Sequence, residues 1–294
     1  MIGSLAALAT VGAAAAIAAP FELPPLVQPA TTELHPGKVV WADLVTPDLE
    51  GAKTFYSGMF GWTFRDVSSG EKDFSVASLD GRPVGGIVQR AVPKDKPRQP
   101  AWLTFIAVGD VGEAERVAVA KGGKVLSRIH EYPQRGRQEI LADPQGAVFA
   151  VLQSSSGDPP DVLAEPGDWI WSSLITSDAN AASAFYQDVF GYDVFDLASA
   201  DGRDHLLLAT DGYARATVNS LPADPGKRRP HWLNFIRVVS AKDSAAKAVT
   251  LGGTVLCEPH ADRHGGTVAV VADPSGAPFG LLEWPDSEGK EAPK

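Results

Sequence analysis

Residues 38–46, KVVWADLVT, read as a strand, and the stretch after it changes period. Ala52, Phe55, Tyr56 and Met59 recur at helical spacing over 49–59, with Asp48 placed to cap the first turn and Gly61 to end the last. Three short strands are predicted next, near 62–67, 73–79 and 83–90, with Asp80-Gly81 as the hairpin signal between the last two. The order then repeats: a strand over 101–108, a helix over 112–121 stopped by Gly122-Gly123, and strands near 124–128, 137–142 and 147–153. Asp143-Pro144-Gln145-Gly146 has the residues of a type I turn between the last two. The unit is βαβββ.

An offset of 130 residues superposes the chain on itself. Trp41 falls on Trp171, Asp48 on Asp178, Phe55-Tyr56 on Phe185-Tyr186, Trp102 on Trp232, His130 on His260 and Asp143-Pro144 on Asp273-Pro274. Between these the register slips by one, as Asp80-Gly81 against Asp211-Gly212 shows. A period this long marks duplicated domains, so the βαβββ unit is used four times. The predicted division is a first domain over 38–153, a linker over 154–167 rich in Ser, Pro and Gly, a second domain over 168–285 and a polar tail over 286–294.

Ahead of the first domain, residues 2–19 carry no charge and end in small residues before Pro20, the character of an export signal with a periplasmic or extracellular destination. A membrane anchor is the alternative. Five prolines over 20–37 lock φ repeatedly and predict an extended tether, with folded structure starting near Lys38. The net charge of −10 lacks the basic footprint of a nucleic-acid binder, and the single cysteine, Cys257, excludes an internal disulfide and any Cys-rich metal site. Membrane contact is expected only through residues 1–19, and the oligomeric state is left open.

The strand ending in T-P-D or T-S-D, the helix motif A-x-x-F-Y-x-x-x-F-G and the D-P-x-G-x-x-F hairpin, each present twice, resemble the vicinal oxygen chelate superfamily of glyoxalases, bleomycin-resistance proteins and extradiol dioxygenases. That resemblance implies an α+β fold of tandem glyoxalase-like domains, each with two βαβββ modules curling into a half-open cup, helices outside and ligand inside. Catalytic members hold a divalent metal with His, Gln or Glu on the cup strands. The first such position, seven residues before the helix-capping Asp, is here Trp41 or Trp171, and indole offers no lone pair to a metal. The Glu position seven residues after the turn Asp is Ala150 or Gly280, and the inner-strand positions fall near Ile87 and Leu103, Val218 and Leu233. No metal and no other cofactor is expected.

The expected partner is a small apolar or aromatic molecule, with Trp41, Asp43, Trp171, Ser173 and Arg237 as candidate ligand-binding residues. Bleomycin-resistance proteins supply the family precedent for binding without turnover. Two further readings stay open. One is a metal-independent lyase, isomerase or hydroxylase-like enzyme using Asp43, His130 or His260 as acid or base. The other is a structural module whose domains bury their cups against each other. A local group of His260, Asp262 and His264 has loop rather than helical spacing.

Overall fold

The computed structural model describes residues 22–67, 74–91, 99–197, 202–221, 229–262 and 265–284. The leader, the C-terminal tail and His264 lie outside them. Four modules follow one another. The first is β1 (Val39–Thr46), α1 (Leu49–Phe60), β2 (Thr63–Asp66), β3 (Phe74–Leu79) and β4 (Arg82–Gln89). The second is β5 (Ala101–Ala107), α2 (Val111–Ala120), β6 (Lys124–Val125), β7 (His130–Tyr132), β8 (Gly136–Ala142) and β9 (Val148–Ser154). The third is β10 (Trp169–Thr176), α3 (Ala179–Phe190), β11 (Asp193–Asp196), β12 (His205–Thr210) and β13 (Tyr213–Ser220). The fourth is β14 (His231–Val238), α4 (Ala241–Thr250), β15 (Thr254–Ala261), β16 (Thr267–Ala272) and β17 (Pro278–Glu283).

The local signals form the elements for the reasons their chemistry dictates. Asp48 and Asp178 accept the amides of Gly51 and Ala181 at 2.9 Å, each satisfying a donor that the first helical turn leaves unpaired. Gly61 and Gly191 end α1 and α3 at φ 73°, where a Cβ would be strained. Asp80-Gly81 and Asp211-Gly212 both turn with positive φ at each residue, the twist a two-residue hairpin needs.

Modules one and two form one curled sheet in the order β2-β3-β4-β1-β5-β9-β8-β6, with β7 added on β8; modules three and four repeat it as β11-β12-β13-β10-β14-β17-β16-β15. The helices lie on the convex faces, and those faces pack against each other across the domain boundary. One core joins Phe55, Tyr56 and Met59 of α1 to Ala245 and Ala248 of α4 and Phe279 of β17; the other joins α2 and β9 to Phe185, Tyr186 and Phe190 of α3. Each core therefore draws on both domains. The expectation that the domains bury their cups against each other does not hold, because the helical faces take that role.

The residues that reveal the repeat do much of this joining. Trp102 donates to the Tyr56 hydroxyl at 2.9 Å, and that hydroxyl donates to Asp273 of the other domain at 3.3 Å. Trp232, Tyr186 and Asp143 make the same chain in reverse, at 2.9 and 3.3 Å. Thr104 and Asn234, equivalent under the 130-residue offset, meet each other at 3.0 Å.

The expected free tether over 20–37 is corrected for residues 22–37. Leu23 and Leu26 are buried at 4% and 6% exposure. The amides of Leu26 and Val27 donate to the Ser156 hydroxyl, Thr31 donates to the Ser156 carbonyl, and Lys38 pairs with Asp161 at 2.8 Å. Proline-rich sequence fixed the extended shape, while two leucines supplied the reason to pack. We call this segment the strap.

Candidate functional site

The concave face of the first domain is closed. β1 presents Trp41 and Asp43 on that face, and β3, β5 and β9 add Phe74, Val76, Phe105, Ala150 and Leu152. Gly86, opposite Asp43 in the register, leaves space that a Cβ would fill within 2.4 Å of the Phe74 ring. The strap's Leu23 and Leu26 complete this cluster. Arg135, in the turn from β7 to β8, is 1% exposed; its guanidinium carbon sits 3.9 Å from the centre of a Trp41 ring and its Nε donates to the Pro24 carbonyl at 2.7 Å. Trp41 in turn donates from Nε1 to Asp43 at 2.7 Å.

Burial pushes the Asp43 carboxyl up to about 6, against the Trp41 bond and the Arg135 charge, which both pull it down. Burial likewise lowers Arg135 to about 10, partly offset by Asp43, so it remains a cation at neutral pH. Among the described residues, two polar atoms here find no partner: Arg135 Nη2 and Gln138 Oε1. Gln138 pairs with Leu152 across the ladder and so shares the concave face.

The second domain places a different set on the same scaffold. Trp171 is half-buried, and beside it lie Ser173, Thr217, Asn219 and His205 in place of Asp43, Gly86, Val88 and Phe74. These polar groups form a chain. The His205 ring bonds to Asn219 Oδ1 at 2.7 Å, Asn219 donates to Thr217 Oγ1 at 3.3 Å, and Trp171 Nε1 donates to the same oxygen at 3.2 Å. With both lone pairs of Thr217 Oγ1 taken, its own proton goes to Ser173 Oγ, 2.7 Å away. The Ser173 proton is then left to point elsewhere. Leu233, Phe235 and Leu282 supply apolar walls, and Gly280 makes room for the Phe235 ring, which a Cβ would meet at 2.0 Å. Trp171 and Trp41 both border a groove of about 1430 Å³ that runs past the strap and the linker between the two cups.

No described segment of the chain fills this second cup as the strap fills the first. At the positions repeat-equivalent to Leu23 and Leu26 the chain has Gln153 and Ser156, and Val162 and Leu163 further along the linker are 74% and 47% exposed.

Of the candidates named from sequence, Trp41 and Asp43 come together in the first cup, and Trp171 and Ser173 meet through Thr217 in the second. Arg237 is drawn away: it is buried and donates to the carbonyls of Ala164 and Trp284, tying the linker to the end of β17. His130 lies on β7 with its ring 6.4 Å from Tyr132, at the edge of the first cup. His260 is exposed on β15 and bonds to the Glu258 carbonyl. Ile87 and Val218 are fully buried against the helices, so counting reached the wrong face; Gly86 and Thr217 hold the cup positions. Arg135, His205, Thr217 and Asn219 went unrecognised. The one-residue slip marked by Asp80 and Asp211 was the signal that pairs Gly86 with Thr217.

The residues present do not suit the divalent metal that catalytic relatives of this fold use. With Gly86 and Thr217 replacing the two miscounted positions, the family's ligand positions carry Trp41, Gly86, Leu103 and Ala150 in one cup and Trp171, Thr217, Leu233 and Gly280 in the other. Among the described residues no group of three His, Cys, Asp or Glu converges.

Residues 38–151 match the model of the glyoxalase/bleomycin resistance protein/dioxygenase superfamily, and 172–282 that of a glyoxalase-like domain. CFP32 of Mycobacterium tuberculosis, which carries a glyoxylase name, is 33% identical over 257 residues, 87% of this chain and 98% of that protein. The anthracycline biosynthesis protein DauV of Streptomyces is 30% identical over 264 residues, 86% of this chain and 95% of its own. Among solved structures, the Mn(II)-bound glyoxalase of Novosphingobium aromaticivorans aligns with a TM-score of 0.59 at 16% identity, covering 85% of this chain and 83% of that one. The 2,3-dioxygenase LapB of Pseudomonas aligns at 0.60 and 14%, covering 88% and 97%. The motifs, the two curled sheets and these likenesses agree: the chain belongs to the glyoxalase/bleomycin resistance protein/dioxygenase superfamily, as a tandem two-domain member.

Proposed function

We propose that the chain binds, without a metal ion, a flat apolar or aromatic small molecule bearing an acceptor oxygen, and that the second cup is the site. The observation that carries this is the half-buried Trp171 indole beside a hydrogen-bond chain whose last proton, on Ser173, has no acceptor within it. An indole face offers stacking area, and a lone donor next to it fixes the orientation of a carbonyl or phenol oxygen. Relatives named for anthracycline biosynthesis support the reading, since anthracyclines are planar polycyclic molecules rich in such oxygens. Binding is favoured over acid–base turnover because Asp43 lies under the strap at 7% exposure, and the hydrogen-bond chain connects His205 to Ser173 through Asn219 and Thr217 rather than directly.

Titration with anthraquinone-2-sulfonate, a soluble planar quinone, followed by tryptophan fluorescence tests it. Saturable 1:1 quenching is expected. Trp171→Ala should weaken it about tenfold, the equivalent of roughly 1.4 kcal/mol of lost stacking, and Ser173→Ala by about threefold to tenfold. Trp41→Phe should leave affinity unchanged. Absence of saturable quenching, or indifference to Trp171→Ala, would sink the proposal.

A further inference from the structure

We propose that the first cup is a second ligand site, occupied in cis by the strap, and that it takes molecules with a carbonyl oxygen set between branched apolar groups. The strap's contacts are those a ligand would make. One backbone carbonyl, that of Pro24, receives Arg135 Nε at 2.7 Å, and two side chains, Leu23 and Leu26, enter the cluster of Trp41, Phe74 and Phe105. The strap adds no strand to the sheet; besides the Pro24 carbonyl on Arg135, its backbone near the cup is held through Leu26 and Val27 donating to Ser156 Oγ.

The cup is also built to do more for a polar occupant than the strap asks of it. Arg135 is 1% exposed, yet among the described residues its Nη2 has no partner, and Gln138 Oε1 on the same face likewise has none. The Asp43 charge offsets only part of the cost of burying this guanidinium, and a strap serving as filler leaves the rest of its hydrogen-bonding capacity unmet. The duplicate domain shows that the scaffold does not demand such filling: where the strap has Leu23 and Leu26, the linker region has Gln153 and Ser156. This inference stands on Arg135 and the strap and does not depend on Trp171.

The test uses the full chain and the blocked peptide acetyl-Glu-Leu-Pro-Pro-Leu-Val-amide, the sequence of residues 22–27, titrated calorimetrically. In the unmodified chain the strap competes at the millimolar-scale effective concentration of a tethered segment, so the peptide should bind at least about tenfold more weakly than to Leu23→Gln/Leu26→Gln. That variant should bind it 1:1, and adding Arg135→Met should weaken binding at least about tenfold, the loss of a charge-assisted hydrogen bond. A folded double variant that ignores the peptide, or binding indifferent to Arg135, overturns the proposal. Hydrogen exchange on the unmodified protein gives a second check if the variants fold poorly. The Leu26 amide should exchange through local opening at least about 100-fold faster than the amides of β1, as a displaceable segment requires. Equal rates would make the strap a fixed part of the core and would also overturn it.

Discussion

The two cups share a scaffold and an apolar floor, Trp41 and Trp171, Phe105 and Phe235, Leu152 and Leu282, and differ in the side chains set around it. Asp43, Phe74, Gly86 and Val88 face Ser173, His205, Thr217 and Asn219 across the repeat, and Arg135 faces Gly265. On the convex side the copies agree closely: Tyr56 and Tyr186 make the same bonds to a tryptophan and to the other domain's turn aspartate. Those residues are locked because each copy completes the other's core. Side chains facing a cup meet no such partner, so one copy carries a buried ion and the other a chain of neutral hydrogen bonds.

Four measurements would break or sharpen this contrast. The largest effect is expected at Arg135. Arg135→Leu removes the stacking on Trp41 and the anchor of Pro24 and leaves Asp43 buried without its cation, a loss of about 3–5 kcal/mol in urea unfolding. The repeat-equivalent Gly265→Ala carries no such network, and its cost should come only from its φ of +91°, roughly 1 kcal/mol.

Next in size is a pH effect confined to the first cup. Because burial raises Asp43 to about 6, from about 3.9 in an unfolded chain, the folded state holds the proton more tightly. The stability this confers is full below about pH 4 and is lost as pH rises through 6, by up to about 3 kcal/mol. Subtracting the Asp43→Asn stability profile from that of the unmodified chain between pH 4 and 7 should isolate it. A flat difference would mean that Asp43 is solvated.

Leu26→Ala in the strap should cost about 2–3 kcal/mol, whereas Leu163→Ala in the exposed linker should stay within about 0.5 kcal/mol. Equal costs would erase the distinction between a packed strap and a solvated linker. Smallest is the expected difference between the twin tyrosines. Tyr56→Phe and Tyr186→Phe should each cost about 1–2 kcal/mol by orphaning a tryptophan donor and a carboxylate, and should agree within about 0.5 kcal/mol. Unequal values would show that the interface is not balanced about Thr104 and Asn234.

Most elements were legible in the sequence because their signals are local: Asp48 and Gly61 bracket α1, and Asp80-Gly81 makes its hairpin. β7 was missed, since three residues give period-two alternation no length to show. The strap was misread for a related reason. Proline content reports chain stiffness, while the burial of Leu23 and Leu26 depends on a cup assembled from β1, β3, β5 and β9. Site residues were legible only where they stood next to a repeated landmark, as Trp41 and Trp171 do. Arg135 carries no landmark, and it enters the cup from a turn rather than a strand.

The crossed cores set a timetable for the chain's own synthesis. α1 emerges early, but part of its apolar face waits for α4 and β17, about 190 and 220 residues later, whereas α2 and α3 find each other within about one domain length. Such distant pairings form slowly and leave apolar surface open meanwhile. The nascent first module therefore stays unfinished until the last strand is released, and a chain stopped after residue 153 would present two greasy helices to whatever lies nearby.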